Sequence, residues 1–247
     1  MNLAISTWQK IERRLARFCE RRTVTLKSDT GIVCFTFDDV PRSACIEGST
    51  VLEKYGLNGT FYVCGGWTGT SDFHTRADLL RLADSGHELG CHGFAHRSYQ
   101  SISESEILAD IEQNRSFFRE VGCDVPRHFA YPYGHVSPSV KRIVAREFIS
   151  SRGIQPGINY STIDLALLKS FPLYQHLWTE NTIARLLEKN AGLCGLLIFF
   201  THRVRADPDE HDCSIELLER AVEISIASGN KVMSVGDALS KGGLIAK

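Results

Sequence analysis

The stretch that most constrains this chain is Val33-Cys34-Phe35-Thr36-Phe37-Asp38-Asp39, a short run of mostly β-branched and aromatic residues closed by two adjacent carboxylates. A run of this kind predicts a strand buried on both faces, as in parallel sheets and barrels. Functional groups gather at the carboxyl ends of such strands. Side-by-side carboxylates repel each other unless a cation or a shared proton intervenes. Asp38 and Asp39 are therefore half of a site, or else a solvated acid and a turn cap ahead of Pro41.

A second cluster, His92-Gly93-Phe94-Ala95-His96, bears on that choice. Histidines four apart share one face of a helical turn, so both imidazoles can reach one ion. The pair opens where the short apolar segment Glu88-Leu89-Gly90-Cys91 finishes, which reads as another strand end. Two histidines and a carboxylate from a separate strand end make a three-ligand centre with open positions for water and substrate. The plainer reading is two structural histidines in a chain that has nine.

A length of 247 residues, 43% hydrophobic and 23% charged, suits one large barrel or two small domains. No linker, charge block or low-complexity tract divides the chain, so a single domain is expected. The formal charge of −1 gives no global pull toward nucleic acid. Of the eight cysteines, Cys34, Cys64 and Cys91 sit in apolar runs, and no Cys-x-x-Cys occurs, so buried thiols are expected rather than disulfides. No segment approaches 18 apolar residues and no cleavable leader pattern opens the chain, which predicts a cytoplasmic protein with reduced thiols.

Residues 1–22 read as an N-terminal amphipathic helix, with Trp8, Ile11, Leu15 and Phe18 at helical spacing. Six cations face two glutamates between Lys10 and Arg22. Such a helix either covers one end of a barrel or makes a peripheral membrane contact. Residues 23–247 then alternate strand and helix. Helices are expected at 43–55, around Leu79–Ala83, at 103–121, 137–146, 182–190 and 214–228, and strands at 59–64, 88–91, 129–134, 148–151, 168–174, 196–202 and 231–235. Seven or eight strands alternating with helices predict an α/β fold, a barrel in preference to an open sheet.

Taken together, Thr36-Phe37-Asp38-Asp39, His92-x-x-x-His96, Phe129-x-x-Pro132-Tyr133-Gly134 and the strand-end His202 resemble the motifs of the polysaccharide deacetylase family, the NodB-homology carbohydrate esterases. The resemblance implies a distorted (β/α) barrel with an incomplete strand ring. It implies one divalent metal ion, usually zinc, held by Asp39, His92 and His96, and hydrolysis of acetyl groups on sugars. Asp38 would be the general base and His202 the general acid. Pro132 and Tyr133 would bind substrate, the Tyr133 N–H helping to stabilise the oxyanion. With a cytoplasmic location, the substrate expected is an N-acetylated saccharide on an activated, nucleotide-linked or lipid-linked precursor. Relatives that cleave other C–N bonds without a metal, and a non-catalytic glycan-binding protein, are the alternatives.

The chain departs from the family pattern in three places. Many members carry arginine where this chain has Ala130, and that arginine pairs with the catalytic base; Arg127 is the nearest candidate in sequence. Many tune the acid histidine with an Asp-Trp pair, which is missing here, although Asp164 could orient His202 or cap the leucine-rich segment after it. Many follow that histidine with Asp, where this chain has Arg203. Trp67 and Trp178 could stack on a sugar or pack in the core.

Overall fold

The computed structural model describes residues 6–241. Among them, the strands in chain order are β1 (Thr23–Thr25), β2 (Ile32–Asp39), β3 (Thr60–Val63), β4 (Glu88–Cys91), β5 (His128–Ala130), β6 (Ser150–Arg152), β7 (Thr162–Asp164), β8 (Phe171–Pro172), β9 (Leu196–Thr201) and β10 (Lys231–Val232). The α-helices are α1 (Thr7–Leu15), α2 (Ser49–Lys54), α3 (Arg76–Asp84), α4 (Glu104–Val121), α5 (Pro138–Glu147), α6 (Glu180–Gly192), α7 (Ile215–Ala227) and α8 (Val235–Lys241).

The main sheet is parallel, in the order β6-β5-β4-β3-β2-β9-β8, with β10 paired to the first two residues of β2. β2 is its spine. Residues Ile32–Phe37 pair with β9, and residues Thr36–Asp39 pair with β3. The two-residue period of a strand sorts its side chains. Val33, Phe35 and Phe37 pack with Leu52 of α2, Phe118 of α4, Leu187 of α6 and Leu218 of α7, so this face carries the helices. Ile32 and Cys34 turn the other way, toward Ile198, Leu168 and Leu239 of α8. Asp38 shares the parity of Cys34 and lies on this enclosed face.

The ring is incomplete, which makes the barrel a distorted one. The edge strands β6 and β8 share no ladder; β6 instead makes an isolated bridge, Arg152 to Leu168, to the segment before β8. Leu168 fills the gap as a surrogate strand, its N–H donating to Ser151 O at 2.8 Å and its carbonyl accepting from Gly153 N at 2.9 Å. β1 and β7 form a separate antiparallel pair.

Several elements are shorter than the sequence suggests: the strands expected over 168–174 and 231–235 are reduced to Phe171–Pro172 and Lys231–Val232. The strand expected over 129–134 ends at Ala130, because Pro132 has no N–H for a ladder and starts a single turn, Pro132–Gly134. α1 ends at Leu15, and the chain then turns before β1; residues 1–5 of the expected N-terminal helix lie outside the described residues. Ser6 caps α1 with Gln9 in a reciprocal box. At the other end, buried Lys141 donates to Ala16 O at 2.7 Å and Cys19 O at 2.9 Å, a cation where the helix dipole favours one. No residue of α1 is buried, and Trp8 and Phe18 are 64% and 78% exposed. Among the described residues no helix is long and apolar enough to cross a membrane.

α4 is locked to the site end of the sheet by Asn114. This fully buried amide accepts from Gly65 N at 3.0 Å and donates to Val63 O at 3.0 Å, at the exit of β3. Asn114→Ala would leave Gly65 N without a partner and Val63 O with His92 N alone, and we expect a loss of about 2 kcal/mol in urea unfolding. A change below about 0.5 kcal/mol, the range of an ordinary surface substitution, would show that the tie contributes nothing.

Candidate active site

The carboxyl end of β2 is bent. Asp39 has φ +64° and Val40 φ +54°, a left-handed conformation that is unusual for a β-branched residue and costs energy to hold. The strain is supported from one side: His74 donates from its backbone N and from Nδ1 to Val40 O, at 3.3 and 2.9 Å. His74 is thus structural. The bend carries Asp39 off the helix-facing side of β2 and brings it beside two imidazoles.

His92 and His96 do not lie on a helical turn, contrary to the expectation from their spacing. They sit in an irregular loop after β4 in which Gly93 (φ +74°) and His96 (φ +50°) reverse the backbone. Asp110 of α4 holds that loop, accepting from Phe94 N at 2.9 Å, Ala95 N at 3.1 Å and the Tyr99 hydroxyl at 2.8 Å. A side chain at position 93 would collide with this carboxylate, since its Cβ would lie 2.7 Å from Asp110 Oδ2.

His92 Nε2 lies 3.4 Å and His96 Nε2 3.2 Å from Asp39 Oδ1. The three ligand atoms fall within 4.8 Å of one another. His92 Nδ1 donates to Ala130 O at 2.8 Å, which fixes the tautomer and leaves the Nε2 lone pair facing Asp39, the usual support for a metal-binding histidine. Burial lowers the His92 pKa to about 4; burial, then the charge of His92, takes His96 to about 2, so both rings are neutral donors. Asp39 is pushed up to about 8, first by burial and then by Asp38. A cation would reverse that cost, and this donor set fits a divalent metal of borderline softness.

Asp38 has a different partner. Burial alone would raise its pKa, but Arg152 beside it holds it below the usual carboxylate range. The Arg152 guanidinium is fully buried at the end of β6, bonded to Asp38 Oδ1 and lying 5.2 Å from the ring of Tyr62 and 4.9 Å from that of Phe200. In the sheet register Arg152 is directly opposite Ala130. The arginine missing from β5 is therefore supplied at the same level by the neighbouring strand. Arg127, the candidate in sequence, is exposed and precedes the amino end of β5.

His202 follows the last residue of β9, with Nε2 4.0 Å from Asp39 Oδ2. Its buried Nδ1 has no hydrogen bond of good geometry. Burial lowers its pKa, with Asp38 and the backbone of His211 acting in opposition. Asp164 is elsewhere: it binds Lys141 Nζ at 2.6 Å and accepts from Arg22 N at 2.9 Å and Ala166 N at 3.1 Å, so it caps the turn and does not orient His202. Pro132 is buried, and Tyr133, at φ +58°, lays its ring 4.3 Å from His96. Trp67 packs on His96 at 4.8 Å and borders the site, whereas Trp178 packs against Phe199 and donates to Pro172 O.

Sequence reasoning missed Arg152 and Asp110. Asp110 carried a readable signal, an acid among Ile107, Ile111 and Asn114 on the buried face of α4. Arg152 carried only its place at a strand end.

Two variants test these supports. Arg152→Met leaves Asp38 as an unpaired buried charge, and we expect about 3 kcal/mol of destabilisation at neutral pH, part of it recovered by adding Asp38→Asn. Additive losses in the double variant would mean the two residues are not coupled. Asp110→Asn loosens the histidine loop, and we expect it to weaken zinc affinity by about tenfold in calorimetric titration; an unchanged affinity would remove Asp110 from the site.

The profile of the polysaccharide deacetylase family matches residues 26–147, a span that includes Asp38, Asp39, His92, His96 and Tyr133. The chain is similar to chitin deacetylase 2 of Saccharomyces cerevisiae, 26% identical over 203 residues, covering 81% of this chain and 56% of the relative. It is also similar to a bifunctional xylanase/deacetylase of Pseudobutyrivibrio xylanivorans, 29% identical over 119 residues, 48% of this chain and 19% of that one. The match thus spans a fifth to about half of the length of these relatives. In fold it resembles a family 4 acetyl xylan esterase from Clostridium thermocellum, solved with a cobalt ion, at a TM-score of 0.66 and 21% identity over 87% of this chain and 93% of that one. The profile match, the barrel and the converged Asp-His-His cluster together place residues 26–147 of this chain in the polysaccharide deacetylase family.

Proposed function

We propose that this chain is a metal-dependent hydrolase that removes an acetyl group from an N-acetylated sugar. The observation that carries the reading is the division of labour between the two adjacent acids: Asp39 converges with His92 and His96, while Asp38 is paired separately with Arg152. Relatives named as chitin deacetylases and a related esterase structure holding cobalt support it.

A divalent ion held by Asp39, His92 and His96, zinc in our reading, supplies Lewis acidity toward a water and the acetyl carbonyl. Asp38, kept ionised by Arg152, accepts the proton of the attacking water. The Tyr133 N–H donates to the carbonyl oxygen as it gains charge, and Pro132 sets the turn that aims it. His202 donates a proton to the departing nitrogen, without which an amine is a poor leaving group.

A second reading concerns the bond cleaved. His202 has no carboxylate partner on Nδ1, so it is less equipped to drive departure of an amine than of an alcohol, which favours an O-acetyl ester. For location and partner, the eight unbonded cysteines support a reducing, cytoplasmic compartment. The exposed Trp8 and Phe18 beside Arg14, Arg17 and Arg21 support peripheral contact with an anionic membrane and hence a lipid-linked sugar. α1 lies near the site, its Arg13 acting on His135, whose ring is 5.3 Å from Tyr133.

Acetate release from N-acetylated and O-acetylated saccharides, with zinc or with chelator, tests the proposal. We expect activity to be lost on chelation and restored by metal, and Asp38→Asn and His92→Ala each to lower turnover by about 100-fold or more. Undiminished turnover in both variants would reject the mechanism. A metal-free active protein would favour the C–N hydrolase alternative, and saccharide binding without acetate release under any metal would favour a glycan-binding role.

A further inference from the structure

Three loops at the active-site end of the sheet border an open cavity of about 520 Å³ that the proposed mechanism does not use. They follow β2 (Arg42, Ser43), β3 (Gly69 to Thr75) and β9 (Arg203, Arg205). The loops are tied together: Arg42 N donates to Asp72 O at 2.9 Å, Val204 N to Ser43 Oγ at 3.3 Å, and Pro41 bridges Phe73. Trp67 stands between this cavity and the metal-ligand cluster, 4.6 Å from Phe73 on one side and 4.8 Å from His96 on the other. Arg203 directly follows His202, and its charge reaches Asp39.

The positive charge in this cavity is incompletely answered. Arg205 is taken up by Asp209 and by Asp212 at 2.8 Å. Arg203 has only a 3.9 Å contact with Asp72, whose side chain is 74% exposed. Arg42 is exposed and makes no side-chain hydrogen bond or ion pair among the described residues. Two arginines from different loops thus line one space, and among its lining residues the one acid is the solvated Asp72. A neutral glycan can accept hydrogen bonds from such a pair but brings no charge to answer theirs. A carboxylate satisfies one guanidinium fork, whereas a phosphoryl group has oxygens enough for both. Ser43, whose hydroxyl oxygen accepts from Val204 N, keeps its own proton to donate.

We infer that this cavity is a phosphoryl-binding subsite, with Arg42 and Arg203 holding a phosphate or diphosphate carried by the acetylated sugar substrate. The inference rests on the hydrolase reading for its substrate and narrows that substrate to phosphorylated N-acetyl sugars, supplied by a phosphoryl- or nucleotidyl-transfer reaction.

The test has two independent readouts on the full chain. The first compares kcat/KM for acetate release from a neutral N-acetylhexosamine oligomer, an N-acetylhexosamine 1-phosphate, a nucleotide-diphosphate N-acetylhexosamine and a lipid-diphosphate N-acetylhexosamine. We expect at least one phosphorylated substrate to exceed the neutral one by about tenfold or more, and Arg42→Gln/Arg203→Gln to collapse that ratio through KM, with lysine at both positions restoring part of it. Which phosphorylated substrate leads identifies the carrier. The second readout is calorimetric binding of inorganic pyrophosphate at low and high ionic strength, expected in the parent chain and lost in the double glutamine variant. Equal kcat/KM for neutral and phosphorylated substrates, a ratio unchanged in the double variant, or pyrophosphate binding unaffected by it would overturn the subsite. Pyrophosphate binding that depends on both arginines, with no acetate released from any substrate, would instead sink the hydrolase reading and leave the subsite standing.

Discussion

Two carboxylates in succession at the end of a buried strand cannot both stay ionised unless each has its own cation. In this protein the two acids are met from opposite directions, and only Asp38 is met by a cation. Arg152 reaches Asp38 from β6, on the enclosed face that Asp38 shares with Tyr62. Asp39 is turned by the left-handed bend at 39–40 toward His92 and His96. The electrostatic result is a split pair: Asp38 is held ionised, whereas Asp39, with neutral rings for company, is pushed up to about 8. Acids driven apart in this way are suited to different tasks at one site.

The geometry is maintained at a cost in backbone strain, and the strain is local. Of the seven non-glycine residues with positive φ among the described residues, Asp39, Val40, His96 and Tyr133 are at this one site. Two of these places are held by groups that the proposed mechanism does not use: His74 on the Val40 carbonyl, and Asp110 on the loop before His96. Outliers that persist at several adjacent positions are a mark of a preorganised site rather than of loose loops. The incomplete ring contributes as well, because β6 is an edge strand whose last residue can turn its side chain inward to Asp38 while Leu168 closes the backbone behind it.

The sequence by itself determined the spine strand, the strand-end histidines and the alternation of strands with helices, because those are signals of local period: Val33 to Phe37 holds no charge and no polar residue but Thr36, and α4 shows its apolar face and its Ser103 cap within one stretch. It also supplied the identity of the three side chains that converge, Asp39, His92 and His96. Only the tertiary structure decided how they converge. Spacing of four suggested a helical turn for His92 and His96, but the backbone reverses through Gly93, a choice made by Asp110 from another element. Only the structure revealed Arg152 as the partner of Asp38, since that depends on β6 lying beside β5 with Ala130 opposite it, and cross-strand register leaves no trace in the periodicity of either segment.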